Sequence, residues 1–401
     1  MKFLLLENIH VVARDALIAA GHEVSATGAS MGSEELVAHL EREQIDVLGI
    51  RSRTQLKAEV FETKHALQAV GAFCIGTNQI DLEAASRAGV AVFNAPFSNT
   101  RSVAELILAE IVVLSRGLGD RSSELHLGKW RKVATGCNEV RGKTLGIVGY
   151  GHIGRQIGVL AEMIGMTVIF HDVLQRLPMG NNRPAASLDV LLSQSDFVTL
   201  HVPETPATAG LMGADQFARM REGARFLNAS RGTVVDLEAL ASALRSGHLG
   251  GAAIDVFPSE PEANSSEGFV SPLQGLPNVI LTPHIGGSTS EAQENIGREV
   301  SGSLLRYLED GSTMGSVSFP EVDLQRLPGR HRLVHVHQNV PGVLGEVNGI
   351  VSRHRGNILG QVLGTNPTIG YVIIDFDSNA AELIARDLAA VSTTIRVRAL
   401  G

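Results

Sequence analysis

Cysteine, aromatic residues, positive charge and long apolar runs are all scarce in this 401-residue chain. Its two cysteines, Cys74 and Cys137, have no metal-ligand spacing around them. That excludes a disulfide-stapled fold and a thiolate metal centre, leaves no metal expected, and fits a reducing cytoplasm. Lys and Arg number 34 against 42 Asp and Glu, for a net charge of −8, which excludes a nucleic-acid partner and a polybasic membrane surface. The apolar run Phe3–Leu6 is cut by Glu7 and is too short for a signal peptide. The most apolar helix candidate, Ala104–Leu114, carries Glu105 and Glu110, so no segment is expected to span a bilayer. Aromatic content is only 4%, with one Trp, but hydrophobic content of 44% is ample for conventional cores. The length suits two or three domains.

The most informative stretch is Lys143 to Asp172. Thr144–Val148 is a short apolar run that predicts a strand. Gly149-Tyr150-Gly151-His152-Ile153-Gly154 follows at once, then a helical pattern through Ile157, Leu160, Ala161 and Ile164. A second apolar run, Met166–Phe170, ends in His171-Asp172. A G-x-G-x-x-G alone is weak evidence, but strand before, helix after and acid about 20 residues on complete a dinucleotide fingerprint. Gly149 allows the tight turn, Gly151 lets a pyrophosphate approach the backbone, and Gly154 lets helix and strand pack closely. The helix N-terminus offers N–H groups to the phosphates. Asp172 suits the adenosine ribose hydroxyls and repels a 2′-phosphate, which points to NAD over NADP.

The rest of the first 300 residues alternates strand-like and helical runs, as in doubly wound parallel sheets covered by helices. Residues 1–97 contain strands at Lys2–Leu6, Val47–Ile50, Phe73–Ile75 and Val90–Phe93, with helices including Phe61–Ala69. Arg51 and Arg53 follow the second of these strands and share a side if the backbone stays extended. At the carboxyl end of an α/β strand, two guanidinium groups suit a phosphate or carboxylate. Gly117 to Glu139 is polar, and Ser259–Gly275 reads as a loop. Behind the fingerprint, Arg231, Glu260 and His284 each follow a predicted strand. Oxidation of a carbon bearing a hydroxyl needs a base, a group that orients that base, and a cation for the substrate. His284 suits the first role near neutral pH, Glu260 the second and Arg231 the third. Residues 331–401 read as βαββαβ, a ferredoxin-like arrangement, with no catalytic cluster.

GIRSRT, VFNAPFSNTRSVAEL, RGKTLGIVGYGHIG, NASRGTVVD, GAAIDVFPSEP and LTPHIGGSTSEAQENIG together carry a resemblance to the D-isomer-specific 2-hydroxyacid dehydrogenases. The likeness continues through GSTMGSVSFPEV and HVHQNVPGVL into a C-terminal ACT domain. The resemblance implies a discontinuous substrate domain (1–98 and 287–322), an inserted Rossmann domain that binds NAD (99–286) and an ACT domain (330–401). It implies Arg231, Glu260 and His284 in the roles above. It adds NAD contacts at His152, Ile153, Asp172, Ala229, Ser230, Arg231, Asp255, His284, Ile285, Gly286 and Gly287. Arg51, Arg53 and Asn99 join Arg231 as substrate ligands. The members of this type are expected to oxidise 3-phosphoglycerate, opening L-serine synthesis, as cytoplasmic homotetramers inhibited by L-serine at His337, Asn339 and Asn357. The linker Leu327-Pro328-Gly329-Arg330 departs from a paired-glycine hinge, which bears on serine feedback and not on the chemistry. Two other readings share these residues: a dehydrogenase of another 2-hydroxy acid, including reduction of 2-oxoglutarate, and an NAD-sensing corepressor-like protein. Preference for a phosphorylated substrate separates the first, and the intact trio with net negative charge argues against the second.

Overall fold

The computed structural model describes residues 1–63, 65–261, 268–377 and 380–400; the segment read as a loop over Ser259–Gly275 therefore lies partly outside it. The chain divides into two compact units, residues 1–98 with 293–401 and residues 99–292.

The first unit opens with β1 (Lys2–Leu5), α1 (Val11–Ala19), β2 (Glu23–Ala26), α2 (Ser33–Glu43), β3 (Val47–Ile50), α3 (Ala58–Glu62), β4 (Ala69–Ala72), α4 (Leu82–Arg87) and β5 (Ala91–Phe93). Its strands form a parallel sheet in the order β2-β1-β3-β4-β5. The order reverses direction beside β1, so the loops after β1 and β3 border a crevice at the carboxyl edge. Two expected elements shift. The helix expected over Phe61–Ala69 is the short α3, and the strand expected at Phe73–Ile75 is Ala69–Ala72. Ala69-Val70-Gly71-Ala72 pairs with Val47–Ile50 and is buried along its length. An apolar run buried on both faces carries no period that would distinguish strand from helix.

The second unit comprises α5 (Thr100–Arg116), α6 (Leu118–His126), β6 (Thr144–Val148), α7 (His152–Met163), β7 (Thr167–His171), β8 (Arg183–Pro184), α8 (Leu188–Gln194), β9 (Phe197–Leu200), α9 (Ala214–Arg219), β10 (Ala224–Asn228), α10 (Leu237–Arg245), β11 (Leu249–Ile254) and β12 (Val279–Leu281). These strands form a parallel sheet in the order β12-β11-β10-β9-β6-β7-β8. The order turns between β6 and β9, which places the glycine turn after β6 at the switch point, where such sheets take ligands. α5 presents Val103, Ala104, Ile107, Ile111 and Leu114 to the core shared with α7, a spacing of three and four residues that makes one continuous apolar stripe. α6 lies within the stretch read as merely polar and buries no residue, so no periodicity marks it.

α11 (Ser290–Asp310) leads back to the first unit. β13 (His331–Gln338), α12 (Val343–Arg353), β14 (Ile358–Thr365), β15 (Ile369–Phe376), α13 (Ala381–Ala389) and β16 (Thr394–Leu400) follow. They form an antiparallel sheet in the order β14-β15-β13-β16, the expected βαββαβ pattern. α12 and α13 cover one face, with Val347, Ile350, Ile384 and Leu388 packed on Leu333, Val372 and Ile374. The other face shares a core with the first sheet: Val334, Val336, Tyr371 and Leu400 cluster with Phe93, Tyr307 and Phe319. Arg332 and Asp375, each 1% exposed, form a buried ion pair at 2.7 and 2.8 Å, and Arg332 also donates to the Asp310 carbonyl at 2.8 Å.

Candidate active site

The turn after β6 is built as its glycines predict. Gly149 has φ of 90°, and a Cβ there would run into the His201 carbonyl, so only glycine fits. A Cβ on Gly154 would strike the carbonyl oxygen of Gly149, which fixes the close approach of α7 to its turn. Gly151, the N-cap of α7, would meet no protein atom within 4 Å. His152 and Ile153 begin the helix, whose N-terminal amides face that side. The Asp172 carboxylate accepts from the amides of Tyr150 at 2.9 Å and Leu174 at 2.8 Å. Bare glycine backbone, helix N-terminus and fixed carboxylate together suit a dinucleotide. Arg176 was not anticipated: its Nε lies 3.4 Å from Asp172, so the carboxylate's charge is partly compensated. Only the one-turn spacing from Asp172 to a basic residue hinted at it.

Three strand ends of the same sheet carry the trio. After β10, Asn228 Oδ1 accepts from Ser230 N at 3.0 Å and Ser230 Oγ at 2.7 Å, while its Nδ2 donates to the Arg231 carbonyl at 3.0 Å. This fixes Ala229–Arg231, and the Arg231 Nη1 donates to the Ser230 carbonyl at 2.7 Å. After β11, Glu260 Oε1 accepts from the Phe257 amide at 3.0 Å, and Oε2 lies 2.8 Å from His284 Nδ1. After β12, His284 adopts φ of 52°, a left-handed conformation uncommon for a side-chain-bearing residue and found more often at functional sites. Its amide donates to the carbonyls of Asp255 at 2.8 Å and Thr282 at 3.0 Å.

Asp255 takes a structural part that spacing did not reveal. Its carboxylate accepts from Thr282 Oγ1 at 2.7 Å and from the amides of Ile285 and Gly286, both at 2.8 Å. Three hydrogen bonds to one carboxylate clamp residues 282–286. Ser102 Oγ adds a bond to the Gly286 carbonyl at 2.6 Å. Asn99 caps α5 by position without a side-chain cap bond; its Nδ2 would lie 2.5 Å from a Cβ on Gly287, and its buried Oδ1 has no hydrogen-bond partner among the described residues.

The electrostatics follow from these contacts. The hydrogen bond to Glu260 raises His284 above the ordinary imidazole value, with burial opposing. Burial pushes Glu260 up, but hydrogen bonds from His284 and the Phe257 amide, with the charges of His284 and Arg231, leave it below the usual carboxylate range. With Nδ1 donating to Glu260, the neutral tautomer keeps its lone pair on Nε2. The arrangement can therefore take up a proton at Nε2 and stabilise the cation that results.

In the first unit, Arg51 and Arg53 follow β3, but the backbone bends over Ser52–Thr54 instead of staying extended. The buried Glu7, after β1, accounts for this: it accepts from the Arg53 amide at 3.0 Å and the Thr54 amide at 2.8 Å. Arg53 Nη2 donates to the Gly28 carbonyl at 3.2 Å, and its Nε lies 3.7 Å from Glu7. The condition under which Arg51 and Arg53 would share a side, an extended backbone, is therefore not met, and Arg53 is partly engaged within the fold. Glu7 is separated from Arg53 by 46 residues, too far for any local pattern to link them.

The expected effector residues do not converge within one chain. His337, 4% exposed, stacks on His335 with ring centroids 5.1 Å apart and pairs across the sheet with Gly370. Asn339 Nδ2 donates to the Asn366 carbonyl at 2.8 Å near that same end. Asn357 precedes β14 at the opposite end, where Ile358 pairs with Phe376.

Residues 108–286 match the family model for the D-isomer specific 2-hydroxyacid dehydrogenase NAD binding domain, and residues 333–396 match an AHAS small subunit-like ACT domain. The chain is 51% identical over 401 residues to D-3-phosphoglycerate dehydrogenase of Haemophilus influenzae, covering 100% of this chain and 97% of the relative. It is 48% identical to the enzyme of that name from Dictyostelium discoideum, over 100% of this chain and 97% of that one. Among solved structures, the TT0316 protein of Thermus thermophilus superposes with a TM-score of 0.71 at 32% identity, covering 79% of this chain and 100% of that one. The NAD complex of Staphylococcus aureus formate dehydrogenase gives 0.65 at 28% identity, covering 77% and 96%.

Proposed function

On the premise that this chain belongs to the D-isomer-specific 2-hydroxyacid dehydrogenases, we propose that it oxidises 3-phospho-D-glycerate to 3-phosphohydroxypyruvate with NAD, the entry to L-serine synthesis. The observation that carries the chemistry is the Glu260–His284 pair at 2.8 Å, held by the loops after β11 and β12 of the sheet that also carries the glycine turn. NAD supplies the hydride acceptor for C2 of the substrate. Neutral His284 takes the hydroxyl proton at Nε2 while Glu260 holds Nδ1–H and stabilises the imidazolium. Arg231 pairs with the substrate carboxylate. Asp172, Gly151 and the α7 N-terminus would hold the cofactor's ribose and pyrophosphate, and the clamped 282–286 loop, with Gly287, Ala229 and Ser230, would supply further contacts to it. We assign recognition of the phosphate to Arg51 and Arg53; Arg51 has no side-chain hydrogen bond among the described residues, which leaves its guanidinium available for a dianion.

His284→Gln is expected to lower kcat by about 10²–10⁴-fold while NADH binding persists; unchanged turnover would refute the role of His284. L-serine is the proposed effector at the C-terminal sheet. His337 and Asn339 lie at one end of that sheet and Asn357 at the other, which supports a site completed by a second copy of the chain and hence a homo-oligomer, which we take to be a tetramer. Serine inhibition that survives Asn339→Ala and Asn357→Ala would place the effector elsewhere. Among the described residues no helix is long and apolar enough to cross a membrane, and we take the enzyme to act in the cytoplasm.

A further inference from the structure

α5 carries one acid on its buried face. Glu110 is 4% exposed, and its Oε1 has no hydrogen-bond partner among the described residues. Helical spacing sets it one turn beyond Leu106 and two beyond Val103. Those two side chains reach within 3.9 and 3.3 Å of where a Cβ on Gly286 would lie, and Asp255 Oδ2 lies 3.1 Å from the same point. The face of α5 that backs Gly286 therefore continues into Glu110, with the Asp255 carboxylate beside it.

We propose that Glu110 is a positioning residue of the reaction: a carboxylic acid that must keep its proton for Asp255 to hold the 282–286 loop, and with it His284, ready for the cofactor. The inference rests on the reading of that loop given above. Burial, and after it the charge of Asp255, pushes Glu110 up to about 8. β11 and β12, which pack on α5, have no titratable side chain. α6 brings Asp120, Arg121, Glu124 and His126, and α7 brings His152, Arg155 and Glu162; Asp255 is the charged group that acts on Glu110. While Glu110 is neutral, the pair carries one negative charge, and that charge is spent on Thr282, Ile285 and Gly286. Once Glu110 ionises, a second charge without a partner at Oε1 sits in a buried position. Relief comes from moving Asp255 away or admitting water, and either slackens the clamp.

The test is NADH affinity of the full-length protein, read by NADH fluorescence from pH 6.5 to 9.5, for wild type and Glu110→Gln. NADH is the chosen probe because its ring carries no charge and its phosphates do not titrate in this range. Glutamine mimics the protonated acid at every pH. Wild-type Kd is expected to rise about tenfold between pH 7 and 9 at full coupling, while Glu110→Gln matches wild type at pH 7 and stays flat. The alkaline limb of kcat/KM for substrate oxidation should disappear with it. A flat wild-type affinity overturns the proposal without any variant. So does an alkaline loss that persists in Glu110→Gln, or a Glu110→Gln protein that is folded by circular dichroism but weak for NADH at pH 7. Failure of the underlying reading looks different: no NADH binding at any pH, or binding without turnover of any 2-hydroxy acid.

Discussion

Replacing Glu260 by Gln isolates what its charge contributes. The amide oxygen can still accept from His284 Nδ1, so the imidazole keeps its tautomer and orientation, but the imidazolium formed during oxidation loses its anionic partner. A hydrogen bond to a charged group contributes roughly 1.5–3 kcal/mol, and both side chains here are partly exposed, at 51% and 34%, which favours the lower half of that range. At about 1.4 kcal/mol per tenfold, kcat should fall roughly 10- to 40-fold. The pH profile gives an independent sign. His284 must be neutral to accept the proton, and the hydrogen bond to Glu260 raises its pKa, so wild-type oxidation climbs with pH through a value above the ordinary imidazole one. Without the carboxylate that limb moves to lower pH. The assay is initial-rate NADH formation at saturating NAD across pH 6–9. A kcat within twofold of wild type, or an unmoved acid limb, would refute the reasoning. The same pair adds stability only while both partners are charged. His284's share is full below the ordinary value of 6.5 and lost as pH rises through its raised pKa. Glu260's share is full above 4.5 and lost as pH falls through its lowered one. Thermal scans should therefore separate wild type from Glu260→Gln most clearly between those two ordinary values.

Asp172→Ser frees Arg176 from its 3.4 Å contact and removes the charge that repels a 2′-phosphate; the NADP-to-NAD ratio of kcat/KM should rise on the order of tenfold or more, and an unchanged ratio would mean that Asp172 does not select the cofactor. Asp375→Ala strands Arg332, 1% exposed, and should cost about 3–5 kcal/mol in urea unfolding, whereas the paired change Arg332→Met with Asp375→Leu should recover most of it; equal losses would show that packing, not the orphaned charge, sets the cost. Gly154→Ala would drive a methyl group into the Gly149 carbonyl, so NADH binding should be lost while the C-terminal sheet stays folded by limited proteolysis; retained binding would contradict the tight turn.

Much of the second unit was legible because its signals are local. The run from Thr144 to Gly154 contains its own strand, turn and helix start; Gly149 and Gly154 each have a steric reason that the structure repeats, while a Cβ on Gly151 would meet open space. Arg231, Glu260 and His284 were visible as charged residues just past apolar strands. Their geometry was less so: the left-handed backbone at His284 depends on Asp255, 29 residues earlier, whose carboxylate looked like a ligand contact and also clamps the loop. Glu7 pulling Arg53 and Thr54 into a bend, and Glu110 buried against the Asp255 region, arise from residues brought together by sheet order, which no spacing encodes. The displaced strand at Ala69–Ala72 failed for another reason: the run Ala69 to Phe73 is apolar throughout, and burial on both faces erases the alternation that would set its limits.

The central claim is oxidation of a phosphorylated 2-hydroxy acid, and the ratio of kcat/KM for 3-phospho-D-glycerate to that for D-glycerate, with NAD at mildly alkaline pH and a product trap, tests it most directly. The phosphate contacts proposed for Arg51 and Arg53, each a charge-assisted hydrogen bond, should make that ratio on the order of a hundred or more. Equal values for the two substrates, or turnover of neither, would contradict the account.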